Sequence, residues 1–296
     1  MTILHKLLGL PSNPNPEREI TKAGFEVSTC SSTCDGCTSG SFPKSVKFEE
    51  NAPLWESTKP YGLHIVVYTG KTDWPHDATS VKGTLSHEIA KWADKTKSPL
   101  GKIKVTCSSL GSDELLTEDD YINETKGDIL LLPHFLSIKG LTIQQVDPIL
   151  TSLTQQLADP DTYPIDSILS QFPQVQKDNN MAYVFFCSHR TRDKRCGITA
   201  PIMQKEMNMY LQELGLYRDF GDLTPGGVNV AFVNHVGGHK FGANVIIYLK
   251  RSGKNIWLGL CRPENVKPIV DECILKDGRV WPEKVRMVQK FDPIDW

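Results

Sequence analysis

Short apolar runs alternate with helical stripes along most of this chain, and this alternation is the feature that most constrains its fold. Runs such as 63–68 and 183–186 have the length and the β-branched or aromatic content of buried strands. Apolar residues at 81–92 recur at helical spacing on one face. Strands that are separated by helices indicate an α/β layer structure. Because no apolar run reaches the roughly 18 to 20 residues of a membrane helix, we expect no membrane partner.

The second half of the chain predicts a thioredoxin-like fold. A strand at 183–186 precedes a helix that we expect Pro201 to open and Gly215 to end. The elements predicted after it are strands at 228–233, 244–249 and 256–260 and a closing helix at 263–274. A β-α-β unit, then a β-hairpin, then a helix is the element order of thioredoxin-like folds.

Three segments are predicted along the chain. Residues 1–58 are rich in Ser, Thr, Pro, Asn and Gly and show no sustained period, so we expect a flexible tail. Residues 59–172 predict a first α/β unit, and residues 178–296 predict a second. The intervening stretch around 158–180, which prolines interrupt, is interpreted as a connection between the two units.

The two units share a pattern. In the segments 130–134 and 231–235, a histidine comes just after a predicted strand. We therefore hypothesise two thioredoxin-like units that arose by duplication, the first of which is degenerate and has lost its site.

Two thiols and two imidazoles in the second unit follow predicted strands. Cys187 and Cys196 flank a basic loop, and His235 and His239 flank two glycines. Adjacent strands of one sheet bring such loops to the same edge, so we expect these four nitrogen and sulfur donors to converge. They are our candidate metal ligands.

Ligand type alone does not identify the metal, because thiolate and imidazole suit zinc and iron-sulfur centres alike. The loop between the cysteines is wider than the tight Cys-x2-4-Cys knuckles of structural zinc sites. Gly237 and Gly238 allow the backbone to approach a bulky centre. These residues favour an iron-sulfur cluster over zinc or no metal, and both alternatives stay open.

Two long motifs in the second unit resemble a known family. CSHRTRDKRCGITAP at 187–201 and VNHVGGHKF at 233–241 are similar to segments of the fungal sucrase/ferredoxin-like family. Residues 216–219 and 282–286 extend the match, and the first unit matches more loosely at 73–77.

This resemblance implies that the second unit is a thioredoxin-like ferredoxin domain. It implies a [2Fe-2S] cluster bound by Cys187, Cys196, His235 and His239, and the related ferredoxin arrangement places both histidines on one iron. We therefore expect an electron carrier rather than an enzyme with its own substrate. A different interpretation, also implied by the resemblance, is an adaptor that associates with actin patch components and in which a zinc or cluster site only stabilises the fold.

Residues near the four candidate ligands in the sequence indicate a supporting role and a binding partner. His189, Arg195, Gly237 and Gly238 are candidates for positions next to the ligands. Residues 178–296 hold 17 basic and 13 acidic side chains, against 16 and 22 in the rest of the chain. We expect the basic loop to dock an acidic redox donor or acceptor. The overall net charge of -2 argues against a general nucleic-acid binder.

The remaining cysteines and histidines have plainer interpretations. The cysteines expected in the core are Cys107, Cys261 and Cys273, and the histidines expected to be structural are His64, His87 and His134. The three cysteines of the tail are Cys30, Cys34 and Cys37. Their spacing is that of a cluster loop, but the context is wrong, so we interpret them as bystanders rather than as a second metal site or redox-sensitive thiols.

Residues near the two ends of the chain indicate its location in the cell and one partner. Glu17 and Glu19 weaken a mitochondrial presequence, so we expect the cytoplasm, with the nucleus as a second compartment, rather than mitochondria. The sequence ends with Ile294, Asp295 and Trp296. This tripeptide resembles the tail by which clients engage the cytosolic iron-sulfur targeting complex, and we therefore expect that partner.

Overall fold

The structure is a computed structural model that describes residues 15–34, 36, 38, 40–219 and 221–296. Its elements up to residue 177 are α1 Pro16–Lys22, β1 Leu63–Tyr68, α2 Leu85–Lys95, β2 Ile103–Ser108, α3 Glu114–Thr117, α4 Asp119–Ile122, β3 Lys126–Leu132, β4 Leu136–Thr142, α5 Val146–Leu157, α6 Ile165–Gln171 and β5 Val175–Lys177. The later elements are β6 Ala182–Cys187, α7 Lys194–Glu213, β7 Tyr217–Arg218, β8 Val228–Val233, β9 Val245–Leu249, β10 Lys254–Leu258, α8 Val266–Pro268, a π-helix Ile269–Leu275 and β11 Val285–Lys290.

One mixed sheet runs through the described chain in the order β11-β10-β9-β6-β8-β2-β1-β3-β4-β5. In the second unit β6 and β8 are parallel, and β9 is antiparallel to both β6 and β10. In the first unit β1 and β2 are parallel, and β3 is antiparallel to both β1 and β4. Each unit thus contains the same four-stranded arrangement, with one strand reversed. The α/β class and the two thioredoxin-like units are confirmed.

The strand order corrects one detail of the predicted duplication. The first-unit strand that corresponds to β8 is β2, because each is the parallel neighbour of the first strand of its unit. His134 follows β3, so it does not correspond to His235. The similarity between 130–134 and 231–235 is therefore a resemblance between non-equivalent strands, which a pattern of apolar residues cannot distinguish.

The two units are joined at their inner edges and share a core. Ser108 of β2 pairs antiparallel with Val233 of β8. Buried side chains of both units pack in one cluster, which includes Val66 and Leu130 from the first unit and Phe185 from the second. Polar contacts cross the same core. The His64 ring contacts Tyr248 Oη at 2.7 Å and Thr106 Oγ1 at 2.8 Å, as expected of a structural histidine.

The described part of the expected flexible tail is packed against the second unit. Ile20 of α1 and Phe25 are buried in its core cluster. Val27 forms a β-bridge with Val280. The prediction of a flexible segment is therefore wrong for these residues. Ile20 and Phe25 are isolated apolar residues in a polar stretch, so they produce no periodicity, yet both fill places in the core of the second unit.

Helix α7 begins seven residues before the predicted start. Asp193 is its N-cap, and its side chain accepts a hydrogen bond from the backbone N–H of Arg195. Pro201 lies inside the helix rather than opening it. Proline usually kinks or ends a helix because it lacks an N–H, but here an effective cap precedes it by two turns. This earlier start places Cys196 in the first turn.

The expected connection between the units contains regular structure. Helix α6 lies within it, and β5 pairs with β4 at the outer edge of the sheet. The first unit therefore ends later than the fading periodicity indicated. None of the described helices is long and apolar enough to cross a membrane.

The buried His134 should make the stability of the protein depend on pH. Burial lowers the pKa of His134 to about 4, and its Nε2 meets no hydrogen-bond partner among the described residues. The unfolded chain, with an ordinary histidine pKa near 6.5, binds the proton first, so the free energy of unfolding falls as pH drops from about 6.5 to about 4. Urea unfolding at pH 7 and pH 5 should show this loss, and His134→Gln should show less of it. An equal loss in both proteins would contradict the assignment.

Candidate metal centre

The carboxyl ends of β6 and β8 bring the predicted ligands together. The two strands are parallel, and Cys187 at the end of β6 is the Cα partner of Val233 at the end of β8. The cysteine loop and the histidine loop therefore leave the sheet at the same level. The prediction that adjacent strands bring both loops to one edge is confirmed.

Four donor side chains converge at this edge. Ligand atoms of Cys187, Cys196 and His235 all lie within 4.8 Å of one another. Cys187 Sγ is 3.8 Å from His235 Nδ1, and His235 Nε2 is 3.4 Å from His239 Nδ1. The centroids of the two imidazole rings are 5.1 Å apart, and the ring planes are tilted by 37°. Two sulfur and two nitrogen donors at these separations fit a small thiolate- and imidazole-bound centre.

The sulfur side of the site is buried and the outer histidine is exposed. Cys187 and Cys196 are 3% and 1% exposed, whereas the His239 side chain is 44% exposed. A hydrogen bond from Cys196, then hydrogen bonds from His235 and the Val236 N–H, hold the pKa of Cys187 well below its usual value despite burial. The same bond and burial raise the pKa of Cys196. Of the two thiols, Cys187 is thus the one whose surroundings favour loss of the proton, and binding of a metal requires both thiols to lose theirs.

Asp193 connects the helix terminus to the outer histidine. Its carboxylate accepts from Arg195 Nε at 2.9 Å and Nη2 at 2.8 Å, and this pairing holds the pKa of Asp193 below its usual range. Its Oδ2 also lies 3.8 Å from His239 Nε2. Arg195, which we expected beside the ligands, thus acts by fixing the carboxylate that faces His239.

A loop of the first unit holds the cysteine loop in place. Ser188 Oγ donates to the Thr72 carbonyl at 2.7 Å. Asp73 accepts from the Thr191 N–H at 3.0 Å and from its hydroxyl at 2.7 Å. This loop follows β1 as the cysteine loop follows β6, so it occupies the corresponding position in its unit. The first unit carries no matching ligands there and instead supports the ligands of the second.

His189 lies at the centre of this contact. Its Nδ1 accepts from the backbone N–H of His235 at 3.1 Å. Its Nε2 therefore carries the hydrogen and donates to the carbonyls of Trp74 at 3.0 Å and Pro75 at 2.9 Å. The ring is buried and meets the Trp74 ring edge to face. His189 thereby links the first unit to the backbone of a predicted ligand.

Comparison with known proteins shows to which family this chain belongs. The model of the sucrase/ferredoxin-like family matches residues 54–287. The chain belongs to the sucrase/ferredoxin-like family. The match covers both units, so the family is defined by the pair and not by the ligand-bearing unit alone.

Relatives in the family span most of the chain. Actin patches distal protein 1 of Saccharomyces cerevisiae is 38% identical over 253 residues, which are 83% of this chain and 80% of that protein. Altered inheritance of mitochondria protein 32 of Clavispora lusitaniae is 25% identical over 263 residues, 86% of this chain and 90% of that protein. A thioredoxin-like [2Fe-2S] ferredoxin from Aquifex aeolicus aligns at 19% identity and a TM-score of 0.28 over 38% of this chain and 96% of that one.

The two glycines of this family member support the histidine loop in a way that the sequence did not indicate. Gly237 and Gly238 have φ of 84° and 71°. A Cβ on Gly238 would lie 2.4 Å from Nη2 of Arg286, and Arg286 Nη1 donates to the Gly237 carbonyl at 3.1 Å. The interpretation that these glycines let the backbone approach a metal is thus incomplete, because Gly238 also makes room for a buried arginine. No local sequence signal marks this role, because an arginine in a strand ordinarily faces solvent.

The other cysteines of this family member lie away from the four donors. Burial raises the pKa of Cys107 and Cys261 to about 12, and Cys273 is also buried, as expected of core residues. In the tail Cys30 is exposed and Cys34 is disulfide-bonded. Cys37 lies outside the described residues. The interpretation of the tail cysteines as bystanders stays a prediction.

The carboxyl-terminal tripeptide is in contact with the body of the protein. Ile294 donates its N–H to the Lys250 carbonyl at 3.2 Å. The Trp296 ring packs against the core of the first unit and lies 5.3 Å from Lys177 Nζ. Asp295 is exposed. Recognition of this tripeptide by a targeting complex stays a prediction, and it requires the Trp296 ring to leave these contacts.

Proposed function

We propose that this protein is an electron-transfer protein in which Cys187, Cys196, His235 and His239 bind a [2Fe-2S] cluster. The observation that carries the proposal is the convergence of two thiols and two imidazoles at the ends of β6 and β8. The family name, which refers to ferredoxin, supports the same class of centre. When bound, such a cluster accepts and donates one electron at a time.

The ligand set determines the charge that the protein has to accommodate. An oxidised cluster with two thiolates and two neutral imidazoles carries no net charge, whereas one with four thiolates carries -2. Adding an electron is therefore easier, and we expect a reduction potential above that of all-cysteine ferredoxins. Both histidines follow one strand and their ring centroids are 5.1 Å apart, which supports the assignment of both to the same iron.

The exposed edge of the site is suited to a partner and to a proton. Arg190 and Lys194 of the cysteine loop are exposed beside the half-exposed His239. Their charge is complementary to an acidic donor or acceptor, and charge of this kind mainly speeds association. His239 Nε2 lies on the same edge, 3.8 Å from Asp193 Oδ2. We therefore propose that electron and proton enter at this edge.

Analysis of the bound metal tests this function. Anaerobically purified protein should contain two irons and two acid-labile sulfides per chain, and dithionite should produce an EPR signal from one unpaired electron. One zinc and no sulfide would sink the proposal.

The midpoint potential should fall as pH rises. Reduction adds negative charge, which raises the proton affinity of the imidazole nitrogen that does not face the metal. With one proton per electron the slope approaches about 59 mV per pH unit. Spectroelectrochemical titration between pH 6 and pH 9 measures it. A midpoint potential that does not change over this range would show that reduction is not coupled to proton uptake.

A second candidate function rests on the name of one relative. Actin patches distal protein 1, which is 38% identical, is named for actin patches. In this alternative the chain is an adaptor for actin patch components and the metal only stabilises the fold. Cosedimentation with filamentous actin distinguishes the two, because an adaptor should bind filaments regardless of the oxidation state of the metal centre. The expected cytoplasmic location is tested by fractionation, since another relative is named for mitochondria.

A further inference from the structure

Arg286 of β11 is a buried cation with unusual partners. It is 1% exposed, and all its hydrogen bonds go to neutral acceptors. Its Nε donates to Ser57 Oγ at 2.9 Å, and Nη1 donates to Asn244 Oδ1 at 2.8 Å. No carboxylate of the described residues forms an ion pair with it. Burying a charge without a counter-charge costs several kcal/mol, so such a residue calls for an explanation.

The guanidinium reaches the ligand site, because Nη1 donates at 3.1 Å to the carbonyl of Gly237, two residues after the candidate ligand His235. Burial lowers the pKa of Arg286 to about 10. Its Cζ lies 5.6 Å from the centroid of the Phe241 ring and 5.7 Å from that of the Trp257 ring. A charge buried in this way is only weakly screened from a charge that develops at the ligand site.

The same guanidinium holds the histidine loop. Nη1 binds the Gly237 carbonyl and also Asn244, whose own Nδ2 donates to the Gly238 carbonyl at 3.0 Å. The carbonyls of both glycines between His235 and His239 are thus held, that of Gly237 by Arg286 itself and that of Gly238 through Asn244. The absence of a side chain at Gly238 is what allows this approach.

We propose that Arg286 is the fixed counter-charge and the anchor of the metal centre. This proposal rests on the proposed function and assigns two effects to Arg286. Its charge stabilises the electron on the reduced centre and raises the reduction potential, and its fork of donors fixes the spacing of the two histidine ligands. Arg286 contacts the loop rather than the metal, so it is a positioning residue.

Three variants separate the charge from the hydrogen bonds. Arg286→Met removes the charge at similar volume, and Arg286→Lys keeps the charge but loses the planar set of donors. Arg262→Met is the control, because it removes a half-exposed arginine that pairs with Glu50. The midpoint potential should fall in Arg286→Met by at least a tenfold shift of the redox equilibrium, about 59 mV. It should stay near the wild-type value in Arg286→Lys and in the control. The EPR g-values should change in both Arg286 variants.

A second route covers poor folding of Arg286→Met. Asn244→Asp keeps the shape of the side chain and places a carboxylate beside the guanidinium, so it should also lower the potential. Unchanged potentials in Arg286→Met and Asn244→Asp, with the cluster present, would overturn the role of Arg286 alone. Wild-type protein without iron and sulfide would instead overturn the proposed function.

Discussion

Cys187→Ala should abolish the bound iron, the acid-labile sulfide and the visible chromophore. Cys187 Sγ lies within 4.8 Å of ligand atoms of both Cys196 and His235. Loss of a residue that hydrogen-bonds to a metal ligand typically lowers the affinity for the metal by about 10- to 100-fold, and loss of a ligand itself should lower it more. Iron and sulfide analysis of protein purified without air measures the effect.

Cys261→Ala is the matched control for this change. It deletes the same atom from a buried cysteine of the same unit, whose thiol is kept neutral by a pKa of about 12. We expect a loss of about 1 kcal/mol in stability from the small cavity and full retention of iron. Equal iron contents in Cys187→Ala and wild-type protein would exclude Cys187 as a ligand.

His189→Ala should destabilise the protein and also make the metal centre labile. The change removes the acceptor of the His235 N–H and the donor to two carbonyls of the first unit. Leaving buried polar groups unpaired costs about 1–3 kcal/mol each, so we expect the free energy of unfolding to drop by about 2–4 kcal/mol. Urea unfolding measures this loss. The rate of chromophore loss with a chelator measures lability, and it should rise by about tenfold or more.

Two further variants identify the cause of this effect. His87→Ala removes a ring whose hydrogen bond, to the Thr79 carbonyl at 2.7 Å, lies within the first unit, and it should leave the chelation rate unchanged. His189→Asn returns an acceptor near the position of Nδ1 and should restore part of the resistance to chelation. If His189→Ala lowers stability while the centre stays as resistant as in wild-type protein, His189 only fills the core.

Much of the second unit is predictable from sequence because its signals are local. Strands β6, β8 and β9 are short, mostly apolar runs, and the loops with Cys187 and His235 directly follow β6 and β8. The short β7 and the strand β11, which contains charged residues, were not predicted. The start of α7 was missed because Pro201 is the stronger start signal, although Asp193 is a suitable cap. The packing of Ile20 was missed because one apolar residue in a polar stretch has no period.

The support of the site was not predictable from local patterns. His189 and Trp74 are 115 positions apart, and nothing near either residue indicates the contact. Arg286 occupies a strand in which an arginine ordinarily faces solvent. Only the arrangement of β11, β10 and the histidine loop shows that the charged side chain of Arg286 is buried away from water.

The sequence by itself determined the α/β class, the two-unit order and the four candidate ligands, since these depend on periodicity and on which residues follow strands. The tertiary structure alone decided what holds those ligands: the loop of the first unit that binds the cysteine loop, and the buried charge of Arg286 below the histidine loop. Long-range packing and the desolvation of a charge depend on which distant segments meet, and a linear pattern of residues does not contain that information.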